Sequence, residues 1–160
     1  MIPCAYIFDI DGTLADCSHR IKYILPKTEN FQSIDDLDKF QPDWEKFYEA
    51  CVDDKPIEGV IEILKLLNHT GIKIILVTGR PKKYLAQTLD WLLKQNIKFD
   101  GIYMREDGDH RQDYIVKHEL YINYISKSYA ILGVFEDRKQ CVDMWRDLGL
   151  TCYQVAEGNY

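Results

Sequence analysis

The chain has 160 residues, of which 46% are hydrophobic and 29% charged, a balance that suits one domain with a real core and excludes a low-complexity class. A formal charge of −6 argues against a broad duplex-binding surface, since such surfaces neutralise many phosphates with Lys and Arg; a small anionic substrate or a strand end stays open. No run approaches the ~18 apolar residues of a membrane helix, the apolar start at Met1 has no basic leader, and five scattered cysteines make no disulfide framework, so a cytoplasmic protein without a membrane partner is expected.

Cys4 to Phe8 is an apolar run that halts at Asp9, the pattern of a strand buried on both faces of a parallel sheet. The stretch 16–56 is polar, carries Pro26, Pro42 and Pro56, and reads as a small helical cap insert within a single 1–160 domain. Its one expected helix is Asp43 to Val52, whose Trp44, Phe47 and Tyr48 share a face that is more often core than a base-stacking surface. Ile57, Val60, Ile61, Leu64 and Leu67 then recur at helical spacing before Gly71, and Lys73 to Val77 reads as the second buried strand. Pro81 suits the first turn of a helix carrying Leu85, Thr88, Leu89 and Leu92. A short strand at Gly101 to Met104, helical spacing from Gln112 to Ile125 and a strong strand at Ala130 to Phe135 follow. Cys141, Trp145 and Leu148 line a helix closed by Gly149, and Thr151 to Val155 forms the last strand. Such alternation predicts an α/β fold with a doubly wound parallel sheet.

Ligands of open α/β sheets bind outside the carboxyl ends of the strands. Those ends carry Asp9-Ile10-Asp11-Gly12-Thr13, Thr78-Gly79-Arg80 and Glu136-Asp137. Singly, each has an ordinary explanation as a turn or a helix cap. Together they fit phosphoryl transfer. A carboxylate attacking a phosphomonoester faces like-charge repulsion of roughly 4 kcal/mol at 4 Å and an effective dielectric of 20, and Mg²⁺ held by hard oxygen ligands offsets it. Asp9 is the candidate nucleophile and Asp11 the acid and base, while Asp9, Asp11, Glu136 and Asp137 are the candidate metal ligands. Gly12 lets amides approach phosphoryl oxygens, Thr78 and Gly79 offer a hydroxyl and an open N–H, and Lys117 supplies positive charge that Asp113, four residues earlier, can orient.

These motifs resemble the haloacid dehalogenase (HAD) superfamily of phosphatases: Asp9 to Leu14 is similar to its first motif, Thr78-Gly79-Arg80 to its second, Lys117 to its third and Gly133 to Asp137 to its fourth. The order spans nearly the whole chain, although the family often has Asp where Glu136 stands here. Within the superfamily, Arg20, the segment from Arg105 to Lys117 and the segment from Glu136 to Gly158 are most similar to the 3′-phosphatase domain of phage polynucleotide kinase-phosphatase. The resemblance implies that Arg20, Arg80, Asp113 and Lys117 join Asp9, Asp11 and Asp137 in the site, and it motivates Arg111 as a substrate contact. No Gly-x-x-x-x-Gly-Lys-Ser/Thr loop occurs, so a phosphatase without a kinase half is expected. Its implied substrate is a nucleic-acid 3′ end. A phosphatase of free nucleotides is the alternative, a silent nucleotide-binding module is a more distant one, and the sequence sets no oligomeric state.

Overall fold

The computed structural model describes residues 2–26 and 40–158. Five parallel strands, β1 (Cys4–Phe8), β4 (Lys73–Pro81), β5 (Gly101–Arg105), β6 (Ala130–Glu136) and β7 (Cys152–Gln154), form a sheet in the order β5-β4-β1-β6-β7. The first strand is therefore central, with β4 and β6 as parallel neighbours. Side chains of a strand alternate between its faces, and β1 divides accordingly. Phe8 packs with α2 (Glu58–Asn68) and α3 (Leu85–Lys94) through Leu64 and Trp91, while Ala5 and Ile7 pack with α5 (Lys139–Asp147) through Val142 and Trp145. Helix α4 (Asp113–Leu120) lies on this second face and runs into a π-helical turn at Tyr121–Ile125. The sheet is doubly wound, as the alternation of elements predicts.

Several boundaries differ from expectation. The second strand continues through Thr78, Gly79 and Arg80 to Pro81, which pairs with Arg105 across a register shift. Pro81 has φ −61° and ψ 147°, so its fixed φ serves an extended strand end and the helix starts only after a 3₁₀ turn at Lys82–Tyr84. The last strand shortens to Cys152–Gln154.

The expected insert is described in part, because residues 27–39 lie outside the described set. A 3₁₀ turn at Ser18–Tyr23 precedes that interval. After it, the side chain of Asp43 caps α1 (Trp44–Glu49) by accepting from the Lys46 amide, which fills one of the amides a helix start leaves open. The helix ends sooner than expected and tightens into a 3₁₀ turn at Ala50–Asp53. Two short strands, β2 (Ala15–Asp16) and β3 (Lys55–Pro56), pair antiparallel. They bring the two ends of the intervening stretch together beside the carboxyl end of β1.

Candidate active site

Asp9 leaves β1 with its amide bonded to the Phe135 carbonyl at 3.0 Å, so it stays in register with β6. The chain then folds sharply. The amides of Thr13, Leu14 and Ala15 all return to the carbonyl of Ile10, and Gly12 adopts φ 84°, a conformation that glycine reaches without a Cβ penalty. This turn ends the apolar strand and leaves two carboxylates at its tip, two residues apart.

Those carboxylates diverge. Asp9 Oδ1 accepts from Lys117 Nζ at 2.7 Å, and the same ammonium donates to Glu136 Oε2 at 2.8 Å. Lys117, from the second turn of α4, is 1% exposed. Burial opposes its charge, but Asp9 and Glu136 outweigh that and hold its pKa above the usual lysine range. Asp9, Glu136 and Asp137 form a buried trio whose carboxylate oxygens lie within 4.8 Å of one another. Burial, followed by the charge of Asp9, pushes Asp137 up to about 7. Burial also lifts Glu136 to about 7 against the pull of Lys117, and burial with Glu136 raises Asp9. The three acids crowd together in a buried site, and their hard oxygens suit a divalent cation.

Asp11 turns elsewhere. Its Oδ1 accepts from Arg20 Nη2 and from Arg80 Nη2, each at 2.5 Å, and Arg80 Nε adds a bond at 3.0 Å. Burial works against ionisation, but the two guanidinium groups prevail and hold this carboxyl well below the usual range. The side chain expected among the metal ligands thus lies in an arginine clamp, apart from the acidic trio. Both arginines are fully buried, and Arg20 rests on the Phe47 ring at 4.2 Å, a cation–π contact.

Asp54 completes the clamp and was absent from the sequence-based site. It accepts from Arg20 Nε and Nη2 at 2.8 and 2.6 Å, from Arg80 Nη2 at 3.1 Å and from His19 Nε2 at 2.9 Å. No motif marks it. Its arginine partners stand 34 and 26 residues away, so only the closed fold reveals it; the nearest signal was an acid just before Lys55-Pro56.

On the other wall, Asp113 lies 3.7 Å from Lys117 and accepts from Arg105 at 2.7 Å and Arg138 at 3.3 Å. Gly79 makes room for it, since a Cβ there would stand 2.0 Å from Asp113 Oδ1. Thr78 is buried, with its hydroxyl accepting from the Arg80 amide at 3.2 Å. Arg111 falls outside this cluster; its half-exposed side chain pairs with Asp109 and Glu119. The aromatic stripe of α1 also departs from the core expectation. Phe47 is buried, but Trp44 is 46% exposed and the Tyr48 hydroxyl reaches the Gly79 carbonyl at 3.4 Å.

Residues 43–160 match the sequence model of the polynucleotide kinase PNKP phosphatase domain. A protein of Autographa californica nuclear polyhedrosis virus, whose name proposes a bifunctional polynucleotide kinase/RNA ligase, is 29% identical over 96% of this chain and 20% of its own length. A solved Pnkp1/Rnl/Hen1 complex contains a chain 32% identical, with a TM-score of 0.78 over 99% of this chain and 48% of that one. This chain therefore spans a fifth to about half of those relatives. The class C acid phosphatase from Bacillus anthracis, crystallised with tungstate, shares the fold at 14% identity and a TM-score of 0.68 over 100% of this chain and 69% of its own. Fold and family together define a phosphatase of the HAD superfamily. Within that class, the chain belongs to the family of polynucleotide kinase PNKP phosphatase domains. The matched span begins after Asp9 and Arg20, and the fold carries both of them onto the matched residues Arg80, Lys117 and Glu136.

Proposed function

We propose that this chain removes a terminal 3′-phosphate from nucleic-acid ends through an aspartyl-phosphate on Asp9. The observation that carries the reading is the buried Asp9–Lys117–Glu136–Asp137 cluster beside the Arg20–Asp11–Arg80 clamp, on a chain of this family. Asp9, Glu136 and Asp137 would hold Mg²⁺, which supplies the positive charge that lets an anionic nucleophile meet an anionic phosphate. Lys117 fixes the Asp9 carboxylate and favours its ionised form against burial and Glu136. Asp9 attacks phosphorus, the bond to the 3′ oxygen breaks, and Asp11 protonates the departing oxygen. Water then attacks the acyl phosphate and gives its proton to Asp11, restoring Asp9 and releasing phosphate.

Arg20 and Arg80 hold Asp11 ionised at rest, the form that accepts a proton from water. An incoming phosphate monoester would compete for the same guanidinium groups; Asp11 then takes up a proton from solvent, gives it to the departing 3′ oxygen and regains one from the attacking water. The stretch 16–56 acts as the cap beside this site, by way of Arg20, Phe47, Tyr48 and Asp54.

Two observations favour a phosphatase of free nucleotides instead: the net charge is −6, and the site's arginines already face carboxylates. Phosphate release with Mg²⁺ from a 3′-phosphorylated oligonucleotide, its 5′-phosphorylated counterpart and mononucleotides separates the two. The 3′ end should give the highest kcat/KM; a preference for mononucleotides overturns the proposal.

A further inference from the structure

A groove of about 370 Å³ lies between Trp44, Tyr48 and Tyr84 on one side and Arg105, Asp113 and Arg138 on the other. That is the lower end of the ~300–1,000 Å³ typical of small-ligand sites. A small cavity that touches both Asp9 and Asp11 shares Trp44, Tyr48, Asp113 and Arg138 with it, so the groove continues to the nucleophile. Its aromatic wall is a row. Trp44 and Tyr48 lie near parallel at 28° with centroids 6.0 Å apart, and Tyr48 stands 5.4 Å from Tyr84.

The positive charge around the groove is already matched. Arg105 bonds Asp113 and the Gly79 carbonyl, Lys83 bonds Glu45, Arg111 bonds Asp109 and Glu119, and Arg138 bonds Asp113. Tracking a phosphate backbone requires cations that can neutralise it, and these are engaged with acids. Among the described residues, the tryptophan face of Trp44 is 46% exposed, on a helix whose neighbouring Phe47 is buried. Every nucleobase offers a π-face to such a surface.

We infer that Trp44, backed by Tyr48, is the platform on which the base of the phosphate-bearing terminal nucleotide stacks. The inference rests on the 3′-phosphatase reading and adds how the terminal nucleotide is held: by its base, with little dependence on base identity.

The test compares a single-stranded 3′-phosphorylated hexanucleotide with the same strand ending in an abasic 3′-phosphate. Stacking contributes enough for wild type to prefer the base-bearing end by roughly ten-fold or more in kcat/KM. Trp44→Ala should reduce that ratio to near one, and Trp44→Phe should keep most of it. An unchanged ratio in Trp44→Ala, or no preference in wild type, overturns the platform. If wild type releases phosphate from neither end, the 3′-phosphatase reading fails by itself. The platform is then decided by tryptophan emission in Asp9→Asn protein, which the same base-bearing hexanucleotide should quench in a Trp44-dependent way; no such quenching overturns it.

Discussion

Lys117 is a side chain on which two acids depend. It is buried against Asp9 and Glu136 at 2.7 and 2.8 Å, and removing one partner of a buried pair leaves the other charged and dry. Lys117→Met is expected to abolish phosphate release and to cost about 3–5 kcal/mol of stability, read by denaturant unfolding; a variant with wild-type stability contradicts the pairing. Asp9→Asn relieves crowding among the acids, so it should lose turnover while its far-UV circular dichroism and melting temperature stay at or above wild type. Asp54 acts at one remove from the chemistry. By holding Arg20 and Arg80 it fixes the guanidinium groups on Asp11. Asp54→Asn should lower kcat/KM by about 10²-fold, the scale of a small misplacement, and should move the acidic limb of the pH–rate profile as Asp11 loses its geometry. A loss in kcat/KM with an unmoved profile would reduce Asp54 to a purely structural contact.

Elements place these side chains with little tolerance. Strand β4 runs on past the apolar residues so that Thr78, Gly79 and Arg80 reach the site in extended register, and Gly79 passes directly under Asp113. Gly79→Ala puts a methyl where the carboxylate now lies. It should displace Asp113 and lower kcat/KM, with the fold retained by circular dichroism; full activity contradicts the close approach. The run Cys4 to Phe8 was legible because a strand buried on both faces must be apolar throughout. Pro81 was not, since a fixed φ near −65° fits a helix start and a strand end alike. The stripe on α1 announced an apolar face without naming what it faces: Phe47 found Arg20, whereas Trp44 found the groove. Asp9, Asp11, Thr78, Lys117 and Asp137 were legible because they stand at strand ends or at helical spacing; Asp54 was not, because its partners come from distant elements.

For the molecule as a whole, the acidic trio couples stability to pH. Glu136 and Asp137 rise from 4.5 and 3.8 to about 7 on folding, so the folded protein binds more protons than the unfolded chain between those values. Stability of the metal-free protein therefore falls as pH rises from about 4 to about 7. Mg²⁺ held by the trio would favour the ionised acids. The gain in melting temperature on exchanging EDTA for Mg²⁺ should be larger at pH 8 than at pH 5, and an equal gain at both contradicts the site.

The cavity shared by Asp9, Asp11 and Tyr48 measures about 20 Å³, close to the ~10–15 Å³ that one water needs and far short of a phosphoryl group. Tyr48 and Trp44 belong to the same six-residue helix, and both line that cavity and the groove. A base stacked on Trp44 would therefore bear on the same helix that walls the approach to Asp9. On the base-platform proposal, occupancy of the groove and admission to the nucleophile would be coupled, with attraction at the base used to open the chamber. An end without a base should be handicapped in kcat as well as in KM.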